Sequence, residues 1–283
     1  MENKIAAKTE MIFSNKNGRV ITNRAYYEGN ARISAPMPTT EFSPYYFLIT
    51  MGGGFVEGEE YEVMVEVRDN AGAVLTSQAP TYVFRSLNHE TTKQNIQLKV
   101  GHHATLEFLM DDLLPYKDAI FKQKTTIQLQ EDSNLIYLDG VTSGWSPEDQ
   151  PFQYESIRLD TKILMDGRLV VSDHFISEPH EYEDVNHLGL FEHYTNYNTL
   201  LVVNPDIDDE YIESMRDVLD QLEVQATYGI SKLEVPGFAM RILGKTMDDN
   251  KALIFECANK VRQDLFGEPA YELRKNDYEG AIR

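Results

Sequence analysis

Glycines, histidines and paired carboxylates are the places where this sequence could do chemistry. The densest glycine cluster is Met51-Gly52-Gly53-Gly54-Phe55-Val56-Glu57-Gly58. Such loops can fold backbone N–H groups around a phosphate. The context is wrong here: no Gly-Lys-Ser/Thr follows, and the next segment reads as a strand with acidic residues at its start, whereas nucleotide loops open a helix. The glycines are read instead as permitting positive φ or close backbone packing where one strand turns into another. Four of the seven histidines, His174, His180, His187 and His193, fall in HFISEPHEYEDVNHLGLFEH. Imidazole and carboxylate groups suit borderline divalent metals such as nickel or zinc. Their spacings of six, seven and six residues match neither a helical i,i+4 pair nor a strand's two-residue period. A solvated loop is the plainer reading, with weak, transient contact through His174 or His180 as the metal-binding one. His102-His103, if on a strand, point to opposite faces.

Nucleophilic chemistry has less support. There is no Gly-x-Ser-x-Gly elbow, and Cys257 sits beside Ala258 on an apolar helical stripe, a core position. The pairs Asp111-Asp112 and Asp208-Asp209 could do acid–base work, but adjacent acids are usually solvated.

The elements that would position these groups are mostly strands. In EEYEVMVEVRDNAG, Tyr61, Val63, Val65 and Val67 share one face, with Glu60, Glu62 and Glu66 on the other and a turn at Asp69 to Gly72. Strands are also expected over 11–14, 20–27, 73–76, 81–85, 95–100, 104–109, 125–129, 134–140, 152–164 and 168–175. Turn spacing is irregular, so no propeller or sequence-periodic β-helix is read. Helical periodicity appears over 206–223 and 247–266, the second stopped by Gly267 and Pro269, with a strand pair at 228–233 and 238–243 between them. The expected fold is mainly β, a stacked-sheet or β-superhelical body with two α-helices in the C-terminal part. One domain is read over residues 1–283, with a β-rich body at about 10–200 and an α+β part at about 201–283.

The chain has 283 residues, 26 basic and 46 acidic, for a formal charge of −20. That field repels phosphate backbones and anionic lipid, so neither nucleic acid nor membrane is the expected partner. A single cysteine fits a reducing compartment, and no apolar run approaches a membrane span; the expected location is the cytoplasm.

The order of motifs goes further than composition. GGGFVEGE, then SQAPTYVFRS with Gln78 and Arg85, then Gln97, LEFLMDDLLPYKDA and Gly140-Val-Thr-Ser-Gly144-Trp145 together resemble the urease accessory protein UreD (UreH) family. The resemblance runs from about residue 50 to 175. Two departures stand out: many members carry Gly-Arg where this chain has Gly140-Val141, and Gly-Glu where it has Gly144-Trp145. Glu59 keeps the acidic residue that commonly follows the family's glycine.

The resemblance implies a non-enzymatic scaffold that binds apo-urease and recruits UreF, and through it the GTPase UreG, in an accessory complex of dimeric assembly. It implies no tightly bound cofactor, with nickel in transit through an internal channel and Glu59 as a weak candidate contact. Gly52, Gly53, Gly54, Gln78, Arg85 and Gln97 are the candidates for shaping the functional body. Arg85, if partly buried, needs an acidic or carbonyl partner. Leu265, Phe266 and Tyr271 are candidates for meeting a helical partner such as UreF, against the alternative of packing on their own sheet. The competing function is a metal-dependent β-fold enzyme using the His174–His193 stretch.

Overall fold

The structure, a computed structural model, describes residues 5–37, 42–182, 184–273 and 275. In chain order the strands are β1 (Ile5–Lys16), β2 (Arg19–Gly29), β3 (Ala31–Ile33), β4 (Tyr45–Thr50), β5 (Glu60–Val67), β6 (Gly72–Ser77), β7 (Thr81–Val83), β8 (Thr92–Val100), β9 (Thr105–Leu109), β10 (Leu113–Pro115), β11 (Ile120–Leu129), β12 (Asn134–Thr142), β13 (Ser156–Met165), β14 (Arg168–Ser177) and β15 (Asn196–Val203). Helix α1 (Asp209–Leu219), β16 (Ala226–Lys232), β17 (Gly237–Gly244) and α2 (Met247–Val261) follow.

Two sheets face each other. Sheet A has the order β14-β13-β11-β8-β5-β1-β2 and sheet B the order β16-β17-β15-β12-β9-β6-β4-β3. The chain crosses from A to B in β5 to β6, β8 to β9 and β11 to β12, and each new coil pairs in parallel with the last. The result is a β-solenoid-like stack with two helices near the C-terminal end, as expected. Its A-side strands begin at Glu60, Thr92, Ile120 and Ser156, an uneven spacing that leaves no fixed repeat in the sequence.

Period-two alternation makes the core. Met11, Val65, Leu98, Ile127 and Ile163 stand in one transverse row across β1, β5, β8, β11 and β13. None is more than 3% exposed. Each such side chain contributes about 1.5–3 kcal/mol by leaving water. Nearer the start of these strands the inward rows turn polar: Gln94 pairs with Gln123, and Thr125 with Thr161.

The helices cover the other face of sheet B. Asp208 caps α1 by accepting from the Tyr211 amide, and Ile212, Met215 and Leu219 are buried. Thr246 caps α2, whose Leu253, Ile254, Cys257 and Ala258 pack against Ile136, Leu200 and Met240. The helix expected over 206–223 is therefore shorter, because Asp206 lies before the cap. The one over 247–266 leaves α geometry at Val261 for a π-helical turn, Arg262–Phe266, which ends at Gly267 with φ 68°.

Strands β4 and β15 were not expected. Both are buried almost throughout, YYFLIT as an apolar run and NYNTLLVV as a polar start followed by one, without the alternation that marks a half-exposed strand. Among the described residues no helix is long and apolar enough to cross a membrane.

Candidate functional site

The polar rows between the sheets enclose a cavity of about 70 Å³, lined by Gln94, Gln123, Tyr137, Asp139, Ser77 and Asp111 among others. A space of that size holds a few water molecules, at roughly 10–15 Å³ each. Asp111 lines it too, but the acid held between the sheets is Asp139. Its Oδ2 accepts from the Tyr137 hydroxyl at 2.8 Å and from Gln123 Nε2 at 3.4 Å, while Thr125 lies 3.0 Å from the same hydroxyl. Enclosure between the sheets pushes the Asp139 carboxyl up to about 7, against the lowering effect of the Tyr137 hydrogen bond and with help from the negative charge of Asp173.

The loop after β9 carries the second acidic group. Asp112 is 6% exposed, and burial raises its carboxyl to about 6, countered by the Asn198 hydrogen bond and reinforced by the Asp111 charge. Asn198 Nδ2 donates to Asp112 Oδ1 at 2.5 Å, and Asn250 Nδ2 donates to Asn198 Oδ1 at 2.7 Å, tying β15 and α2 to this carboxylate. Asp111 accepts from Ser77 Oγ at 2.9 Å and from Lys275 Nζ at 2.9 Å. The expectation that Asp111-Asp112 is solvated is corrected, since the Asp111 side chain is only 7% exposed as well. The reason is tertiary: α2 and the segment after it fold back over the loop.

Three spaces share walls through these groups. A groove of about 220 Å³, bounded by Gly53, Gly54, Gln78 and Tyr82, shares Leu48, Ile49, Thr50, Ser77 and Thr81 with the cavity. A smaller space of about 20 Å³ beside Lys251 and Lys275 shares Met110, Asp111 and Leu138 with the cavity. Gly140 stands where the acids crowd together. A Cβ there would lie 2.0 Å from Asn198 Nδ2 and 2.5 Å from Asp112 Oδ1. Gly140→Ala is accordingly expected to lower stability by about 1–3 kcal/mol through overpacking, read as a shift in the urea midpoint. An unchanged midpoint would mean that β12 and β15 do not approach this closely.

The glycine loop and the 78–85 segment do come together. Phe55 N donates to Tyr82 O at 2.8 Å, and Phe84 N to Phe55 O at 2.9 Å. Gly52, Gly53 and Gly54 all have positive φ, which accounts for the glycines, and at Gly54 close packing adds to it, since a Cβ there would lie 2.4 Å from Tyr82 O. Gln78 lines the groove. Strand β7 stops at Val83, short of the expected 85, and Arg85 is exposed, so the condition under which it needed a buried partner does not arise. Gln97 is exposed on the outer face of sheet A. Glu59 accepts from the Tyr61 hydroxyl at 2.7 Å.

The histidines spread out. His174 lies on β14, 2.8 Å from Asp160, and His180 lies in a 3-10 turn at Pro179–Glu181. His102 and His103 sit in a turn, and both reach Asp132, at 3.0 and 3.4 Å, so the opposed arrangement expected on a strand does not apply. Among the described residues no group of three or more His, Cys, Asp or Glu side chains is arranged to hold a metal ion.

The buried guanidinium is Arg262. It is fully buried, with Nη1 donating to Glu107 Oε2 at 2.6 Å and Nε to Pro269 O at 2.8 Å. Tyr271 also donates to Glu107, and its ring lies under the guanidinium at 4.1 Å. Tyr271, Leu265 and Phe266 thus pack on their own chain, against the helix-covered face of sheet B. Sequence reasoning missed Asp139 and Arg262 as key residues. The signal for Asp139 was an acid inside the apolar run LIYLDG.

The sequence is similar to known proteins over nearly its whole length. The profile of the family described as UreD urease accessory protein matches residues 6–277. A protein of Streptococcus salivarius (strain 57.I) named urease accessory protein UreD is 43% identical over 265 residues, covering 94% of this chain and 95% of its own. One of the same name from Bacillus cereus (strain ATCC 10987 / NRS 248) is 31% identical over 261 residues, covering 92% and 94%. Another from Ureaplasma urealyticum is 28% identical over 255 residues, covering 88% of each.

Proposed function

The chain belongs to the UreD urease accessory protein family, and from that membership we propose that it is a maturation scaffold that holds apo-urease, recruits UreF and through it UreG, and offers nickel a passage between its two sheets. The observation that carries the passage is the run of shared walls from the groove at Gln78, through the Asp139 cavity, to Asp111 and Asp112.

Its chemistry suits transit better than storage. Apart from the Lys251 and Lys275 ammoniums at its far end, the polar side chains on the path are carboxylates, amides and hydroxyls, without imidazole or thiolate among its lining residues, which favours exchangeable contact with a borderline cation such as nickel. Carboxyls poised near 6 and 7 are cheap to ionise at neutral pH when a cation arrives to take the proton's place. Cys257 contributes nothing to the path, being buried in the helix-sheet core with its thiol pushed up by burial. In this reading the chain transforms no substrate; its relatives are named as accessory proteins.

The test is reconstitution. Purified chain, UreF, UreG and apo-urease are expected to co-elute at micromolar concentration and to yield active urease with Ni²⁺ and GTP. Absence of any complex, or full urease activation in cells lacking this gene, would refute the scaffold reading.

A further inference from the structure

Among the described residues the helices pack on sheet B, and none covers the outer face of sheet A although its central strands pair in parallel. Parallel sheets are ordinarily covered on both faces. The charge on this face is also out of keeping with the chain. Strands β8, β11 and β13 point outward Lys93 and Lys99, Lys122 and Lys124, and Arg158 and Lys162. In register, Lys93 stands beside Lys122 and Lys122 beside Arg158, three cations in a row on adjacent strands. Like charges placed directly opposite each other destabilise a sheet.

Little within the chain neutralises them. Lys122 meets Asp160 at 3.4 Å, Asp160 also meets His174, and Arg158 pairs with Glu178. Among the described residues Lys93, Lys99, Lys124 and Lys162 have no ion-pair partner, although the chain has 46 acids for 26 basic residues. In register, Glu60 and Glu66 on β5 stand opposite Lys93 and Lys99, and Asp160 opposite Lys124, yet none of these three pairs closes to an ion pair.

We infer that this band on β8, β11 and β13 docks an acidic face of a protein partner. The band is about 10 Å wide and about 20 Å long, from strand spacing and rise. That extent fits a patch on a folded surface. A nucleic acid or an anionic membrane would overrun it onto the β5 glutamates, and beyond a screening length of about 8 Å the net charge of −20 would oppose approach. The partner's identity as a urease-maturation protein rests on the function proposed above; the acidic character of its face does not.

The experiment compares the full chain with two variants, Lys93→Glu/Lys99→Glu/Lys124→Glu/Lys162→Glu and the same four positions changed to Gln, each checked for an unchanged circular dichroism spectrum. Immobilised poly-L-glutamate serves as the acidic probe and apo-urease and UreF as the partner probes, with duplex DNA and phosphatidylserine vesicles as alternatives. The wild-type chain is expected to bind at least one of the three polypeptides, with association slowed about tenfold or more by the Glu variant, slowed less by the Gln variant, and with salt sensitivity lost in step. Variants that associate like the wild type, no wild-type binding to any of the three polypeptides, or tighter binding to DNA or vesicles would overturn the inference. Binding to poly-L-glutamate but to neither protein would leave the acidic-face inference standing and count against the maturation reading.

Discussion

Asp139→Asn is expected to make the protein more stable while impairing urease activation. In the folded chain the Asp139 carboxyl keeps its proton up to about pH 7, whereas its ordinary value is 3.8. The native state therefore binds more protons than the unfolded chain between about pH 4 and 7, and wild-type stability falls as pH rises through that window. Asn has no proton to lose and can still accept from Tyr137 and Gln123. The gain should be near zero at pH 4, grow through the window, and level off above pH 7 at no more than about 4 kcal/mol. The upper limit applies because Asp139 lines a cavity large enough for water and is not wholly cut off from it. Urea denaturation at pH 5, 6, 7 and 8 reads this directly. A gain that did not vary with pH would show that burial does not control this carboxyl. In reconstituted urease the same variant should form the complex but activate about tenfold more slowly, the equivalent of roughly 1.4 kcal/mol lost along the path. Full-rate activation would exclude Asp139 from the passage.

Arg262→Ala is expected to cost about 3–5 kcal/mol, because it strands the Glu107 carboxylate in the core. Both side chains are fully buried and joined at 2.6 Å. The pair itself need not be stabilising relative to an apolar replacement. Glu107→Leu combined with Arg262→Met should recover most of the loss, since neither charge then remains to be solvated. Tyr271→Phe removes one donor to Glu107 and should cost about 1–3 kcal/mol. Chemical denaturation of the set decides the matter; a double variant no more stable than Arg262→Ala would mean that the packing of the guanidinium stem, and not its charge, sets the energy.

Local elements were legible where one face meets water and the other the core. Strand β5 shows this, with Tyr61 and Val65 buried and Met64 exposed. So do the two helices, where apolar stripes and following breakers are written in the sequence itself. Strands β4 and β15 were hidden because burial on both faces removes alternation. The parallel stacking was hidden for a different reason: period two fixes which way a side chain points and says nothing about the strand beside it. The site was harder still. The apolar flanks of Asp111-Asp112, Phe108 to Met110 and Leu113 to Leu114, were its one local sign of burial, and its cover, Asn198, Asn250 and Lys275, comes from residues far along the chain. The motif raised only the condition of a buried Arg85, which is exposed, while Arg262 is buried because an apolar helix carries it into the sheet.

The Glu107 carboxylate belongs to β9, a central strand, yet its partners Arg262 and Tyr271 come from the segment behind α2. On the ribosome every strand is made before the groups that neutralise this one charge. Until they emerge, a nascent chain holds an incomplete interior, so premature stop codons upstream of Arg262 should yield chains marked for degradation instead of shortened working proteins.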